Sequence, residues 1–205
     1  MFISTKREIR PTEEQERYLA RCFGHTRWYW NYLVDCDRNN VKHKRYAELK
    51  RSGYAWLAEA PAISLSSVDL NYKTALANSK SGMNKPKFHS KHDRQSFTVC
   101  CQGVNSLRGK KTYCPKLKSG IKIMGDVDSN GTLKSVTYSL ESNGKYYASF
   151  LFDVGRVEPL PKTSKMIGID VGIETFATTS DGEKIKSPDL SKKEAKITKE
   201  QRVLS

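Results

Sequence analysis

A single aspartate in a glycine-containing apolar segment is the residue best placed for metal chemistry. Asp170 lies within the run I-G-I-D-V-G-I at residues 167–173. On a β-strand, Gly168 and Asp170 would share one face, so the carboxylate would stand beside little steric bulk. Magnesium prefers oxygen ligands, and two-metal nucleases hold it with a few carboxylates. One carboxylate is too few for such a site, and by spacing alone an aspartate that ends a strand and caps a turn is the simpler interpretation.

A basic segment upstream interleaves cations with aromatic and hydroxyl groups. Residues 85–97 read K-P-K-F-H-S-K-H-D-R-Q-S-F. Such cations neutralise phosphates, the rings stack on bases, and the polar side chains donate to sugar or phosphate oxygens. The candidate nucleic-acid contacts are Lys85, Lys87, Phe88, Lys91, His92, Arg94, Gln95 and Ser96. An ordinary solvated loop between helices and sheet explains the same composition about equally well.

A third segment, R-W-Y-W-N-Y at residues 27–32, combines aromatic residues with two polar candidates. The aromatic side chains are expected mainly in a helical core. Arg27 and Asn31 lie one helical turn apart, and both are suited to base edges or phosphates. A solvated helix face is the alternative for this pair.

The charge balance indicates the class of partner. The chain has 36 Lys and Arg against 22 Asp and Glu, a formal charge of +14, and both halves are basic. Such a surface concentrates polyanions, so we expect nucleic acid as the partner, with no membrane and no small-molecule substrate. No stretch approaches the ~20 apolar residues of a membrane helix, and the first residues do not form an export signal. We therefore expect a soluble, cytoplasmic protein.

The cysteines indicate neither disulfides nor zinc. Their number is odd and no C-x-x-C pair occurs, which favours reduced thiols. The five residues are Cys22, Cys36, Cys100, Cys101 and Cys114.

The elements that would position the candidates are helical in the first part of the chain. Residues 2–10 predict one β-strand, and Thr12 and Gln15 have the spacing of a capping box. The following helix is predicted to stop at Gly24, and a second helix follows at once, so the two would form a helical hairpin. A third helix is predicted from about Ser64.

After Phe97 the pattern changes to β-sheet. Strands are predicted at residues 132–141, 145–154, 166–171 and 174–180, and a last helix at residues 191–205. Asn143-Gly144, between the first two, is a strong hairpin signal. Two prolines within residues 158–161 predict a linker and a domain boundary.

Taken in order, these motifs resemble those of one known family. K-R-E-I-R-P-T-E-E-Q starts at residue 6, F-G-H-T-R-W-Y-W-N at residue 23, the basic segment at residue 85, and G-I-D-V-G-I-E-T-F-A-T-T-S-D-G at residue 168. The order is similar to that of the TnpB (OrfB) proteins of insertion sequences, over nearly the whole chain. Such proteins are RNA-guided DNA endonucleases related to type V CRISPR effectors.

The resemblance implies an α+β fold in three parts. Residues 1–10 and 97–160 would form a wedge-type β-barrel, and residues 11–96 an inserted helical recognition lobe with a helix-turn-helix-like hairpin. Residues 161–205 would be the beginning of a RuvC (ribonuclease H-like) domain, which starts near Lys165.

The resemblance also implies roles for the candidates. Asp170 corresponds to the family's first metal ligand, which makes it the predicted catalytic residue and magnesium ligand. The segment from Lys85 to Phe97, with Arg27 and Asn31, would contact the guide RNA and the short motif that flanks the double-stranded DNA target.

One departure from the family pattern limits these expectations. The glutamate, second aspartate and four-cysteine zinc ribbon of later RuvC motifs are absent from the 205 residues. We therefore expect Mg²⁺ binding only with the missing ligands, no zinc site, and no cleavage by this chain alone. The sequence leaves three functions open: a portion of a nuclease, a truncated nucleic-acid-binding accessory or repressor protein, and an inactive remnant.

Overall fold

The computed structural model describes residues 1–101, 106–127, 131–156, 164, 166–173 and 175–204. The chain divides into two compact units, Met1–Val157 and Glu158–Ser205. The first unit contains β1 (Phe2–Arg10), α1 (Glu13–Arg38), α2 (Tyr46–Arg51), a 3₁₀ helix (Ala55–Glu59), α3 (Ala62–Lys80), β2 (Gln95–Cys100), β3 (Leu107–Arg108), β4 (Lys111–Thr112), β5 (Ile121–Ile123), β6 (Thr132–Leu140) and β7 (Tyr146–Asp153). The second contains β8 (Ile169–Asp170), β9 (Thr175–Thr179), β10 (Lys184–Lys186) and α4 (Ser191–Leu204).

The first unit is built on a curled antiparallel sheet. Over the described residues its seven strands follow the order β2-β6-β7-β1-β5-β4-β3. Thr112 on β4 hydrogen-bonds Tyr138 on β6 at 2.8 Å, although three strands separate β4 from β6 in that order. The sheet therefore curls around its own core as a half-barrel. The α+β class is confirmed, while the wedge-type barrel and the RuvC start stay predictions.

The hairpin of β6 and β7 confirms the strongest turn signal. Gly144 has φ +74°, a left-handed conformation that glycine adopts without steric cost. Its N–H donates to the carbonyl oxygen of Glu141 at 3.0 Å, and the Glu141 N–H donates to that of Lys145 at 3.0 Å. The two predicted strands on either side are confirmed to within one residue at each end.

The predicted helical hairpin is wrong, because α1 runs without interruption through Gly24 to Arg38. The capping box at its start is confirmed: the Thr12 N–H donates to Gln15 Oε1 at 2.9 Å, and the Gln15 N–H to Thr12 Oγ1 at 3.4 Å. A glycine inside a helix costs only about 1 kcal/mol relative to alanine. Burial of one large apolar side chain contributes about 1.5–3 kcal/mol, and α1 buries apolar residues on both sides of Gly24.

Two hydrophobic cores lie along α1. The first packs the N-terminal half of α1 into the curled sheet, and its largest members are Tyr18, Phe23, Phe97, Tyr138, Phe150 and Phe152. The second packs the C-terminal half of α1 against α3 and residues 46–60, through Tyr29, Leu33, Val34, Leu49, Leu57, Ala60, Leu65 and Tyr72. The predicted third helix is confirmed as α3, which begins directly after Pro61.

The second unit is a small sheet followed by a helix. Its strand order is β10-β9-β8, and the predicted last helix is confirmed as α4. The strand expected at residues 166–171 is only two residues long. The predicted linker at 158–161 and Lys165 lie outside the described residues. Throughout the part of the chain that is described, no helix is long and apolar enough to cross a membrane.

Candidate nucleic-acid interface

The basic segment lies along one face of α1 and is anchored there by two side chains. Asn31 Nδ2 donates to the carbonyl oxygen of His89 at 2.9 Å, and Asn31 Oδ1 accepts the His89 N–H at 2.7 Å. Trp30 Nε1 donates to the carbonyl oxygen of Lys87 at 2.8 Å. The Trp30 ring also stacks on the His89 ring, with 4.8 Å between centroids and 7° between planes. The backbone at 87–89 is therefore held against the helix.

Two arginines of α1 extend this contact in both directions. Arg27 Nη1 donates to Gln95 Oε1, and Gln95 Nε2 donates to the carbonyl oxygens of Lys91 and Asp93 at 2.9 and 2.6 Å. The Arg38 guanidinium lies 4.3 Å from the centroid of the Phe88 ring, a cation–π contact. The segment is thus held against α1 at residues 87–89 and at Gln95.

Between the anchors the chain makes a compact turn. The Ser90 N–H donates to Asp93 Oδ2 at 2.7 Å, and the His92 N–H donates to Ser90 Oγ at 3.1 Å. The side chains of Lys91 and His92 at this turn are exposed. The turn therefore presents both groups from a backbone that its own polar side chains hold in place.

The structure divides the predicted contacts into two groups. Arg27, Asn31, Phe88 and Gln95 have partners within the chain, so in this structure they position the segment. Arg94 Nη2 lies 3.6 Å from Glu141 Oε1, and Ser96 is exposed on β2. Among the basic candidates, the exposed side chains that form no ion pair within the described residues are those of Lys85, Lys87, Lys91 and His92.

The pKa of His89 in the anchor lies below its ordinary value. Burial disfavours the charged imidazolium and lowers the pKa of His89, although the carboxylate of Asp93 opposes this effect. A histidine with a lowered pKa is neutral at pH 7, so His89 is suited to stacking in the anchor.

A groove of about 600 Å³ lies beside the anchored segment. Its lining combines the apolar residues Val34, Leu76 and Pro86 with four cations and one carboxylate: Arg38, Lys80, Lys85, Lys87 and Asp37. An apolar or aromatic floor between cations is the arrangement that accommodates bases and phosphates of a single strand.

Asp170 lies in the second unit, on the short strand β8. It pairs in register with Thr178 of β9, and its side chain is exposed. Among the described residues no group of three or more His, Cys, Asp or Glu side chains lies close enough to hold a metal ion. The described residues thus bring one carboxylate to this position and do not complete a magnesium site.

Sequence reasoning missed two residues of the anchor, Trp30 and Arg38. The signal was present, because Arg27, Asn31 and Arg38 follow one another at i, i+4 and i+11. That spacing places all three on one face of a continuous helix. Trp30 was grouped with the aromatic residues expected in the core, and Arg38 was not considered as part of this face.

Comparisons with known proteins agree with the motif order. A family model described as a helix-turn-helix domain, of the OrfB proteins of the IS605 type, matches residues 1–45. A second OrfB model of that type, described as a probable transposase, matches residues 149–205. In the structure the first of these ranges holds one strand and one unbroken helix.

Two curated relatives extend the similarity to nearly the whole chain. A Streptomyces pristinaespiralis protein provisionally named as an RNA-guided DNA endonuclease is 25% identical over 95% of this chain and 52% of its own length. The Escherichia coli (strain K12) protein InsQ, provisionally named in the same way, is 26% identical over 98% of this chain and 53% of its own. The chain thus belongs to the TnpB/OrfB family of insertion-sequence proteins, and it spans about half the length of these relatives.

Proposed function

We propose that this chain is the nucleic-acid-binding portion of a transposon-associated, RNA-guided DNA endonuclease. In this proposal it holds a guide RNA together with its double-stranded DNA target. The names of both relatives supply the reaction class, and they belong to proteins about twice as long as this chain. The charge of +14 supports polynucleotide partners.

The anchored basic segment is the observation that carries the proposal. Four residues of α1 contact residues 87–95 through hydrogen bonds and rings: Arg27, Trp30, Asn31 and Arg38. The segment's own lysines stay exposed. A segment held in one conformation loses less conformational entropy when it binds than a mobile loop does. Lys85, Lys87, Lys91 and His92 are therefore presented to phosphates before a ligand arrives.

The neighbouring groove adds a place for bases. The half-buried Leu76 and Pro86 offer apolar surface in its lining, beside the exposed Lys80, Lys85 and Lys87. We infer that a single-stranded or unpaired stretch of the guide lies there, because duplex bases are already stacked on one another.

Asp170 is assigned a more limited role. We propose that it is one magnesium ligand of a RuvC-type site and that the 205-residue polypeptide by itself does not cut DNA. In two-metal nucleases, bound magnesium activates water and stabilises the leaving oxygen, and several carboxylates hold it. The described residues contribute one of them.

A second candidate function follows from the presence of a single carboxylate, Asp170, among the described residues of the candidate metal site. A protein that holds RNA or DNA through the anchored segment without cutting would act as a repressor or an accessory of the transposon. Binding without cleavage by this chain is expected under both functions, and they differ only in whether Asp170 contributes to a complete active site.

Binding is tested by removing the exposed cations of the segment. We expect the triple variant Lys85→Gln, Lys87→Gln, Lys91→Gln to bind RNA and DNA more weakly, and to reduce the slope of log affinity against log salt by about 1 per lost phosphate contact. Fluorescence anisotropy across a salt series measures both quantities.

A matched control removes three exposed lysines of α4, in Lys192→Gln, Lys193→Gln, Lys199→Gln. Equal losses in both triple variants would show that net charge, and not the anchored segment, carries binding. An unchanged protein that binds neither polymer at low salt would refute the proposed function itself.

Cleavage is tested separately. The unchanged chain is incubated with guide RNA, target DNA and magnesium, and the DNA is examined for site-specific cuts. We expect none. Specific cutting that Asp170→Ala abolishes would contradict the assignment of binding without cleavage.

A further inference from the structure

Four cationic residues stand directly opposite one another across four neighbouring strands of the curled sheet. Arg10 on β1 pairs in register with Lys122 on β5. Lys122 pairs in register with Lys111 on β4, and Lys111 with Arg108 on β3. We call these four residues the cation row. None of them belongs to the anchored segment.

The cation row lies on the outer face of the sheet. All four side chains are exposed. Their neighbours along the strands point the other way: Ile9, Ile121 and Ile123 are buried in the first core, and Thr112 is buried beneath the sheet. Since side chains alternate between faces along a strand, the core residues determine the position of the row.

Such a row does not stabilise the fold. Like charges directly opposite one another on an antiparallel pair are unfavourable. Arg10 lies 3.7 Å from Glu8 of its own strand, but Glu8 Oε2 is also 2.9 Å from Lys145 Nζ. Within the described residues neither Lys111 nor Lys122 forms an ion pair. The two central members thus repel each other without a neighbouring carboxylate to compensate.

An aromatic ring orients the end of the row. The Arg108 guanidinium lies 5.3 Å from the centroid of the Tyr113 ring. That ring lies across Gly120, where a Cβ would approach Tyr113 Cζ to 2.8 Å and Lys111 Cβ to 3.0 Å. Only glycine leaves room for the ring at this place. Tyr113 therefore packs against Arg108, and within the described residues no hydrogen bond or ion pair occupies the guanidinium N–H groups.

We propose that the cation row binds the phosphodiester backbone of a polynucleotide that crosses the strands. Three strand spacings of about 4.8 Å make the row about 14 Å long. A polynucleotide that lies along the row can therefore place more than one phosphate within reach of its cations. A bound polyanion also removes the repulsion within the row, which explains why the fold tolerates it.

The inference rests on the proposed function, because it names a second contact surface for the same class of partner. It differs in position and chemistry. The anchored segment and its groove offer apolar surface beside cations, whereas the cation row offers a line of charges for backbone phosphates and one ring already covered by Arg108.

The test is the double variant Lys111→Gln, Lys122→Gln. Its affinity for an RNA hairpin and for a DNA duplex of equal length is measured by anisotropy over a salt series. For the polymer that contacts the row, we expect affinity to fall at least tenfold at about 0.1 M salt and the salt slope to fall by about 2. Loss with RNA, with DNA or with both identifies which backbone lies on the row.

Three controls keep the test decisive. Lys111→Arg, Lys122→Arg retains the charge and should retain affinity and slope. Thermal melting should show the glutamine variant to be at least as stable as the unchanged protein, since a repulsion is removed. Lys42→Gln, Lys73→Gln removes two exposed lysines elsewhere in the first unit and should have a smaller effect.

Unchanged slopes for both polymers in the glutamine variant would overturn the inference, as would equal losses in the Lys42 and Lys73 control. If the glutamine variant binds normally while the triple variant of the anchored segment does not, only the cation row is refuted. If the unchanged protein binds neither polymer, the proposed function fails with it.

Discussion

The two compact units contain similar apolar segments but bury them very differently. In the first, Phe150 on β7 is fully buried between the curled sheet and α1. In the second, Phe176 on β9 is 53% exposed, and Ile173 is 98% exposed. Among the second unit's described residues only Ala177 and Thr179 are buried. Apolar alternation thus locates strands in both units, while burial depends on what packs against them.

The difference bears directly on the two kinds of candidate site. The anchored segment rests on α1, which is fixed by two cores. Asp170 lies on a two-residue strand whose described surroundings bury little. The candidate nucleic-acid surface is therefore held by several contacts, whereas the described geometry around Asp170 is set by few.

The strongest test of this contrast pairs two phenylalanines. Phe150→Ala should lower the free energy of unfolding by about 3–5 kcal/mol, because a fully buried ring leaves a cavity. Phe176→Ala should cost less than about 1 kcal/mol, because its ring is already half in water. Urea unfolding followed by tryptophan fluorescence reports on the first unit, where all three tryptophans lie, and the NMR amide signals of β9 over the same urea series report on the second unit. Equal costs would remove the contrast between the units.

A smaller effect is expected where the segment is anchored. Asn31→Ala removes two hydrogen bonds to His89 at the surface, each contributing about 1 kcal/mol. We expect a loss of about 1–2 kcal/mol and faster tryptic cleavage after Lys87 and Lys91. Asn78→Ala on the exposed face of α3 is the control and should leave the cleavage rate unchanged. Slow cleavage in the Asn31 variant would show that Trp30 and Gln95 anchor the segment without it.

Gly24 tests whether α1 is continuous. The position of a Cβ on Gly24 has no atom within 4 Å, so Gly24→Ala should stabilise the protein by about 0.5–1 kcal/mol. Gly53→Ala should destabilise it, because Gly53 has φ +107°. A stability loss for Gly24→Ala in thermal melting would favour the helical hairpin predicted from the sequence.

The smallest effect concerns the start of α4. Asp189 Oδ1 accepts the Ser191 N–H at 3.0 Å, and this hydrogen bonding to Ser191 lowers the pKa of Asp189 from its ordinary value of 3.8. A lowered carboxyl pKa contributes stability above the ordinary value and loses it as the pH falls through the folded value. We expect NMR titration of Asp189 to give a pKa below 3.8, and the α4 amides to shift over the same range. An ordinary pKa would show that the cap is not formed in solution.

Local rules predicted most elements of the fold. The Thr12 and Gln15 capping box, Asn143-Gly144 and Pro61 each act within a few residues, so their spacing in the sequence was sufficient. The helix end predicted at Gly24 was wrong because the local stop signal was outweighed by burial along the whole of α1. That burial involves strands more than a hundred residues away in the chain. The strand predicted at residues 166–171 is shorter in the structure, where β8 has two exposed residues.

The candidate site was predicted in composition but not in arrangement. Residue types identified the basic segment as suited to nucleic acid. They could not show that Arg27 hydrogen-bonds Gln95 or that Asn31 hydrogen-bonds the backbone of His89, since the partners are about 60 residues apart in the chain. The cation row was invisible for a similar reason, because Arg10 meets Lys122 only through strand register.

Helix α1 has 26 residues and is therefore about 39 Å long. Its first half belongs to one core and its second half to the other. Neither core can unfold without disrupting α1, which belongs to both. We therefore expect the sheet and the helices of the first unit to unfold in one cooperative transition. Amide protons in the middle of α1 should then exchange with solvent only through that global opening. A polyanion bound at one end of α1 would in this way also stabilise the core at the other end against unfolding.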